Sequence, residues 1–301
     1  MYDPSEQSTS GEVVREIDPD LDHAYDARGT VGVEGFARLM ARYRAESDLA
    51  VDGLIGTAGV RYDPESAEVL DVWGAAAGGA PRPVLLFVHG GYWRALSRLD
   101  SAFMARMLDA QGIATVVVDY TLAPEATLEE IVRQVRAAVA WIHHHGGEYG
   151  LDPARLVVAG SSAGGHLAAT TLVEGWQAGY DLPADAIKGA VLFSGLYDLR
   201  PLLATAANGW LHLDESRAEA LSPALLPLRT DLPVTVIAAE GEAAGFHTQT
   251  RDFRERITPG AEPVVIPDRN HFDVILDLAD PESTVSRALV DVFRRVDPRR
   301  A

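Results

Sequence analysis

One serine of this 301-residue chain stands in a setting that activates hydroxyl groups. Residues 160–164 form the pattern G-x-S-x-G, with Ser162 at its centre and the apolar run 156–159 before it. A serine on a sharp turn from strand to helix has a strained backbone, and small neighbours let the chain pass closely while the hydroxyl stays accessible. Ser162 is therefore the candidate nucleophile. Ser161, at the x position, should point away.

A helix is predicted to follow this serine, over residues 166–174. Its N-terminus would stabilise negative charge that develops near Ser162. The same pattern also occurs by chance, as a small-residue turn in which the serine only caps a helix. The predicted strand before it and the predicted helix after it favour the nucleophile.

A second stretch, residues 87–93, places two glycines directly after an apolar strand. Attack on a carbonyl group creates an oxyanion, which needs N–H donors already aimed at it from roughly 2.7 to 3.1 Å. Glycines after a strand let backbone N–H groups turn inward, so Gly90 and Gly91 are predicted to donate together with Ala163. Alone, the stretch would equally fit a glycine turn with His89 buried, but the serine pattern downstream favours the donor role.

The residues that follow these glycines are candidates for the substrate pocket. Tyr92 and Trp93 are predicted to line it. Arg94, beside them, is a candidate for binding a substrate carboxylate, since this acidic chain offers few cations.

The partners of the serine are expected later in the chain, in the order serine, acid, histidine that α/β hydrolases follow. His271 lies in a loop after the predicted strand 263–266, which makes it the candidate general base. The acid should follow the preceding strand, 234–238, where both Glu240 and Glu242 are available. Either carboxylate could orient the imidazole and stabilise its charged form, and spacing does not choose between them.

The elements that must position these side chains alternate between strands and helices from about residue 84 onward. Strands are predicted at 84–88, 114–118, 156–159, 190–193, 234–238 and 263–266, and helices at about 127–146 and 283–295. Such alternation predicts an α/β class protein with a mostly parallel central sheet flanked by helices, and the serine pattern specifies the α/β-hydrolase fold.

The domain organisation is predicted from the absence of a dividing linker. Residues 1–20 are expected to form a loose N-terminal tail, and residues 21–301 a single domain. Residues 21–50 have helical periodicity before the sheet begins. A proline-containing insertion at 199–230 could form a small cap over the site.

Composition limits the choice of partner. The formal net charge of −18 would repel phosphate backbones and anionic lipids, so we expect a small-molecule substrate, with neither nucleic acid nor membrane as a partner. The chain has no cysteine, and therefore no disulfide and no thiolate nucleophile. The acidic N-terminus lacks the pattern of a secretory signal, so a cytoplasmic location is expected.

These motifs resemble the arylformamidase (kynurenine formamidase) family of α/β hydrolases, whose mark, H-G-G-x-W, stands at residues 89–93. The resemblance extends over about residues 21–295 and includes the stretches 21–31, 43–47, 131–134, 164–167, 194–199 and 246–249. In this family the acid lies four residues before the phenylalanine of F-H-x-Q, a position that corresponds to Glu242 here. The family usually has aspartate there, so Glu240 stays an alternative.

The resemblance implies hydrolysis of N-formyl-L-kynurenine, or of a related N-formyl arylamine, to formate and the free amine. It implies no cofactor and no metal, and homodimers are common in the family. One alternative is a carboxylesterase for short acyl or aryl esters, because residues 119–124 resemble hormone-sensitive-lipase-like esterases. Another is a protein that uses the fold for binding or cyclisation without hydrolysis, although such a protein would not need serine, histidine and acid together.

Overall fold

The computed structural model describes residues 16–76 and 78–297, which contain one eight-stranded sheet. Its strands are β1 (Gly56–Arg61), β2 (Val69–Trp73), β3 (Arg82–Val88), β4 (Ala114–Val118), β5 (Leu151–Ser161), β6 (Gly189–Phe193), β7 (Val234–Gly241) and β8 (Val264–Asn270). The strand order is β1-β2-β4-β3-β5-β6-β7-β8. β2 pairs antiparallel with both β1 and β4, and all other neighbours are parallel.

Helices cover both faces of this sheet. They are α1 (Pro19–Ala24), α2 (Gly32–Val51), α3 (Ala105–Ala110), α4 (Leu128–His145), α5 (Ala163–Thr170), α6 (Asn208–Leu211), α7 (Glu215–Ala220), α8 (Ala244–Ile257) and α9 (Thr284–Arg295). Two of the longer helices begin at side-chain caps. The Thr127 hydroxyl accepts the N–H of Glu130, and the Ser283 hydroxyl accepts the N–H of Ser286.

The core consists of two apolar layers, one on each face of the sheet. Successive side chains of a strand point to opposite faces, and in β3 Leu86 packs in one layer while Leu85 and Phe87 pack in the other. Helices α4, α5 and α8 contribute to the first layer, and α2, α3 and α9 to the second. This arrangement leaves the carboxyl ends of the parallel strands at one edge, where ligands bind in open α/β sheets.

The predicted fold class is confirmed, and all six predicted strands are present. Strands β1 and β2 were not predicted. The helix after the serine pattern begins at Ala163 and ends at Thr170, so the predicted bounds of 166–174 are wrong at both ends. It starts earlier because Ser162 itself is the N-cap residue.

Since all eight strands join one sheet, we propose that residues 21–301 form a single domain. The first fifteen residues of the expected N-terminal tail lie outside the described residues, and α1 begins at Pro19. The insertion 199–230 lies between β6 and β7 and contains two short helices, α6 and α7.

Candidate active site

The candidate catalytic residues follow four parallel strands and meet at one edge of the sheet. Gly90 follows β3, Ser162 follows β5, Glu242 follows β7 and His271 follows β8. β3 and β5 are neighbours, so the glycine loop and the serine turn lie side by side. The sheet thus places groups that are up to 181 positions apart in sequence at one site.

Ser162 occupies the sharp turn that its sequence pattern predicts. Its φ is 57° and its ψ −121°, outside the helical and extended regions, and its N–H donates to the carbonyl of Phe193 at 2.8 Å. Helix α5 then passes so close to β3 that a Cβ added at Gly164 would lie 2.0 Å from the carbonyl oxygen of Val88. Only glycine fits there, which explains the second glycine of the pattern.

His271 and Glu242 form a buried pair behind the serine. Nδ1 of His271 lies 3.6 Å from Oε2 of Glu242, and the two side chains are 3% and 0% exposed. The other carboxylate oxygen of Glu242 accepts the N–H of Ala239 at 2.7 Å and the hydroxyl of Ser194. This oxygen is therefore occupied, and Oε2 is left to face the imidazole.

The competing carboxylate, Glu240, is held away from this pair. It is exposed, and its Oε2 accepts the backbone N–H of Asp268 at 3.1 Å. Its carbonyl oxygen contacts Nε2 of His247 at 3.1 Å. The geometry places Glu242, and not Glu240, beside His271.

The predicted oxyanion donors border the same space. Gly90 and Gly91 line the cavity next to Ser162, and Ala163 is the first residue of α5. Among the described residues, no hydrogen-bond acceptor takes the N–H of Gly90, Gly91 or Ala163. These three N–H groups remain available to an oxygen that develops negative charge.

His89, beside these glycines, is buried and stacked on Tyr120, with ring centroids 4.2 Å apart. Nδ1 of its imidazole donates to the carbonyl of Gly90 at 3.0 Å. Burial lowers the pKa of His89, so the ring is a neutral support for the loop.

The site opens into a cavity of about 600 Å³ whose wall is mostly apolar. It is lined by Ser162 and His271, and also by Ser161. Helix α2 contributes Phe36, Met40 and Tyr43, and the insertion after β6 contributes Thr205, Ala206, Ala207 and Trp210. The insertion is bound to α1, since the N–H of Ala206 donates to Asp22 at 2.8 Å. Together these segments cover the site.

The two aromatic residues of the glycine loop have different surroundings. Tyr92 lines the cavity as predicted, and its hydroxyl donates to the carbonyl of Tyr25. The prediction for Trp93 is wrong. Its side chain is fully buried and packs edge-on against His166, with ring centroids 5.2 Å apart. Consecutive positive φ angles at Tyr92 (51°) and Trp93 (58°) turn the second ring into the core.

Two supporting residues were missed by the sequence reasoning, although both lie in stretches that carried the family resemblance. Ser194 donates to Glu242. Gln249 accepts the N–H groups of Tyr197 and Asp198 and donates to the Tyr25 hydroxyl at 3.0 Å. The amide of Gln249 thus connects α8, the loop after β6 and the N-terminal region that covers the cavity.

In the described part of the chain, no three histidine or carboxylate side chains are grouped so that they could hold a metal ion. No helix there is long and apolar enough to cross a bilayer.

This sheet, with a serine on the turn after its central strand and a histidine–carboxylate pair beyond it, defines the class of α/β hydrolases. Residues 85–249 match a protein family that is described as having the alpha/beta hydrolase fold. The kynurenine formamidase of Salmo salar is 32% identical over 247 residues, which are 78% of this chain and 81% of the salmon protein. That of Danio rerio is 32% identical over 246 residues, 78% of this chain and 80% of its own.

A solved structure from Silicibacter sp. TM1040, described provisionally as a thioesterase, is 32% identical with a TM-score of 0.77. The match covers 90% of this chain and 98% of that one. The chain belongs to the kynurenine formamidase family of α/β hydrolases, and it is a hydrolase.

Proposed function

We propose that this hydrolase cleaves the N-formyl amide of N-formyl-L-kynurenine, or of a related N-formyl arylamine, to formate and the free amine. The observation that carries the proposal is the placement of Ser162 and His271 on one cavity, with the Glu242 carboxylate 3.6 Å behind His271. The activity named for the relatives from Salmo salar and Danio rerio supports the choice of bond.

The proposed reaction is an acyl transfer in two halves. Oγ of Ser162 attacks the formyl carbon while His271 takes its proton, and Glu242 stabilises the imidazolium that forms. The N–H groups of Gly90, Gly91 and Ala163 stabilise the oxyanion. His271 then gives the proton to the nitrogen of the leaving amine, and the C–N bond breaks. Water, activated by His271, attacks the formyl-serine and releases formate.

The partner of the proposed enzyme is a small molecule. The net charge of −18 would repel nucleic acids and anionic lipid surfaces, which supports no role for either of them. A cytoplasmic site of action is part of the proposal. No step of the proposed reaction uses a cofactor or a metal. A homodimer, common in the family, is the oligomeric state that we propose.

Hydrolysis of short esters or thioesters is the second candidate, because the related Silicibacter protein is described provisionally as a thioesterase. The same serine, histidine and carboxylate would support it. A substrate panel distinguishes the two. We expect kcat/KM for N-formylkynurenine and formanilide to exceed that for p-nitrophenyl acetate and p-nitrophenyl butyrate. Higher values for the esters would replace the formamidase proposal with the esterase one.

A further inference from the structure

Two arginine side chains that line the catalytic cavity have no polar partner in the part of the chain that the structure describes. Arg28 and Arg94 line the cavity together with Ser162. Neither guanidinium makes a hydrogen bond or an ion pair with another described residue, a property shared within the described ranges only by Arg38 and Arg294. The chain has 44 acidic and 26 basic residues, so a cation without a partner is unusual, and two of the four such arginines in the described ranges lie at this cavity.

Aromatic rings hold both arginines in place. Cζ of Arg94 lies 4.3 Å from the ring centroid of Trp210, and Cζ of Arg28 lies 4.8 Å from that of Phe36. Trp210 is itself fixed, because its Nε1–H donates to the carbonyl of Tyr92 at 3.0 Å. A guanidinium stacked on a ring keeps the N–H groups of its edge free, and that edge matches a carboxylate bidentately.

Two carboxylates also line this cavity without pairing with these arginines. Asp22 accepts the N–H of Ala206 at 2.8 Å, and Asp26 accepts the N–H of Gly29 at 2.8 Å. Both aspartates line the cavity. A cavity lined by two cations and two anions complements a ligand that carries both charges better than it complements a simple anion.

We infer that Arg94 and Arg28 form a carboxylate site, so that the enzyme prefers substrates bearing an α-amino-acid group, with the ammonium group toward Asp22 and Asp26. This inference rests on the proposed function, because it assigns the non-reacting end of the same substrate. Binding energy from that end would hold the formyl group against Ser162.

The test compares N-formyl-L-kynurenine with its methyl ester, which lacks the carboxylate charge. Binding is measured by calorimetry in the Ser162→Ala background, which needs no turnover. We expect Arg94→Gln to weaken binding of the acid roughly ten- to a hundredfold and to reduce the preference for acid over ester by a similar factor. Arg28→Gln should act in the same direction. Arg94→Lys should restore part of the preference, since it keeps the charge but loses the planar fork.

The matched control is Arg38→Gln, because Arg38 is an exposed residue of α2 that has no polar partner among the described residues and does not line the cavity. It should leave both affinities unchanged. Equal preference for acid over ester in wild type, Arg94→Gln and Arg38→Gln would overturn the carboxylate site. Carboxylate-dependent binding without release of formate by the enzyme with Ser162 intact would instead overturn the proposed function and leave the site standing.

Discussion

Oε2 of Glu242 faces Nδ1 of His271 at 3.6 Å, and neither atom has a hydrogen-bond partner among the described residues. A buried carboxylate oxygen without a hydrogen bond costs free energy. The arrangement therefore favours a state in which Oε2 and Nδ1 form a hydrogen bond. Protonation of His271 during the reaction would create that state. Apo enzymes often hold catalytic hydrogen bonds long and tighten them when substrate binds.

The first prediction concerns this carboxylate. Glu242→Gln keeps the size of the side chain but cannot stabilise an imidazolium, so kcat should fall on the order of 10⁴-fold, as in a triad that loses its acid. Steady-state kinetics of formate release measure the effect. Glu240→Gln is the matched control, because Glu240 is exposed and its side chain accepts the backbone N–H of Asp268. This variant should change kcat little. Equal losses in the two variants would refute the assignment of the acid.

The second prediction separates two adjacent serines that both line the cavity. Ser162→Ala should abolish turnover and leave the unfolding midpoint almost unchanged, since removal of one hydroxyl affects catalysis far more than packing. Ser161→Ala should keep most of the activity. Trapping with a fluorophosphonate followed by mass spectrometry gives an independent measurement, and a label on residue 161 in the wild type would contradict the proposed register.

Much of the site could be predicted because its chemistry constrains sequence locally. The serine pattern needs small residues at fixed offsets, and the strands before Ser162 and His271 each contain an apolar run and end at one edge of the sheet. The choice between Glu240 and Glu242 could not be predicted from such local constraints. Glu240 lies near the end of β7 and Glu242 directly after it, and only the backbone path at the end of the strand decides which carboxylate faces His271.

The third prediction concerns the glycine loop. Gly91 has a φ of +94°, and an added Cβ would lie 2.2 Å from the carbonyl oxygen of Ala95. Gly91→Ala should therefore displace the loop and its N–H donors, lowering kcat by about 10² to 10³ and the free energy of unfolding by about 1 to 3 kcal/mol. Gly179→Ala is the control for a general glycine effect, because no atom of the described residues lies within 4 Å of a Cβ added there. Wild-type kcat in Gly91→Ala would exclude an oxyanion role for this loop.

The fourth prediction is a pH dependence of stability. Burial lowers the pKa of His166 from 6.5 to about 4, while its Nε2 donates to the carbonyl of Leu221 at 2.8 Å. Between these pH values the unfolded chain binds a proton at this residue that the folded chain does not bind. The stability that neutral His166 gives the folded state is complete above pH 6.5 and is lost as the pH falls toward 4. It amounts to about 3 kcal/mol of unfolding free energy.

His166→Gln keeps a donor for Leu221 and cannot titrate, so the loss of unfolding free energy between pH 6.5 and 4.5 should be smaller than in the wild type. Urea unfolding at three pH values measures it. His144→Gln is the matched control, because His144 also contacts a carbonyl, that of Tyr180 at 3.0 Å, but is exposed. An unchanged pH dependence in His166→Gln would show that this histidine does not resist protonation.

The remainder of the site could not be predicted because it depends on directions that spacing does not encode. Positive φ at two consecutive bulky residues, Tyr92 and Trp93, is rare and has no sequence signal, and it sends one ring to the cavity and the other to the core. β1 was missed because its residues are mostly exposed and include two glycines, so it lacks the apolar run of a central strand. Helical periodicity located α2, but only the tertiary packing shows that Phe36 faces the cavity.

The last prediction concerns the acyl side of the substrate. Tyr92 is the residue to test there, because it lines the cavity and Trp93 does not. Its ring lines the cavity beside Gly91, and its hydroxyl is held by the carbonyl of Tyr25. Trp210 and Phe246 pack edge-on against it, with ring centroids 6.2 and 6.4 Å away. A formyl group has only hydrogen beyond its carbonyl, so a rigid ring at this place would admit it and exclude longer chains.

We therefore expect kcat/KM to fall from formyl to acetyl to butyryl in a matched series of aryl amides, with each methylene that cannot be accommodated costing about 1 to 3 kcal/mol. Tyr92→Ala should raise the acetyl value relative to the formyl value, because it removes the ring. Tyr92→Phe keeps the ring, loses only the bond to Tyr25, and should preserve the order. A flat series in the wild type, or one that rises toward butyryl, would contradict the formamidase proposal and favour the esterase candidate.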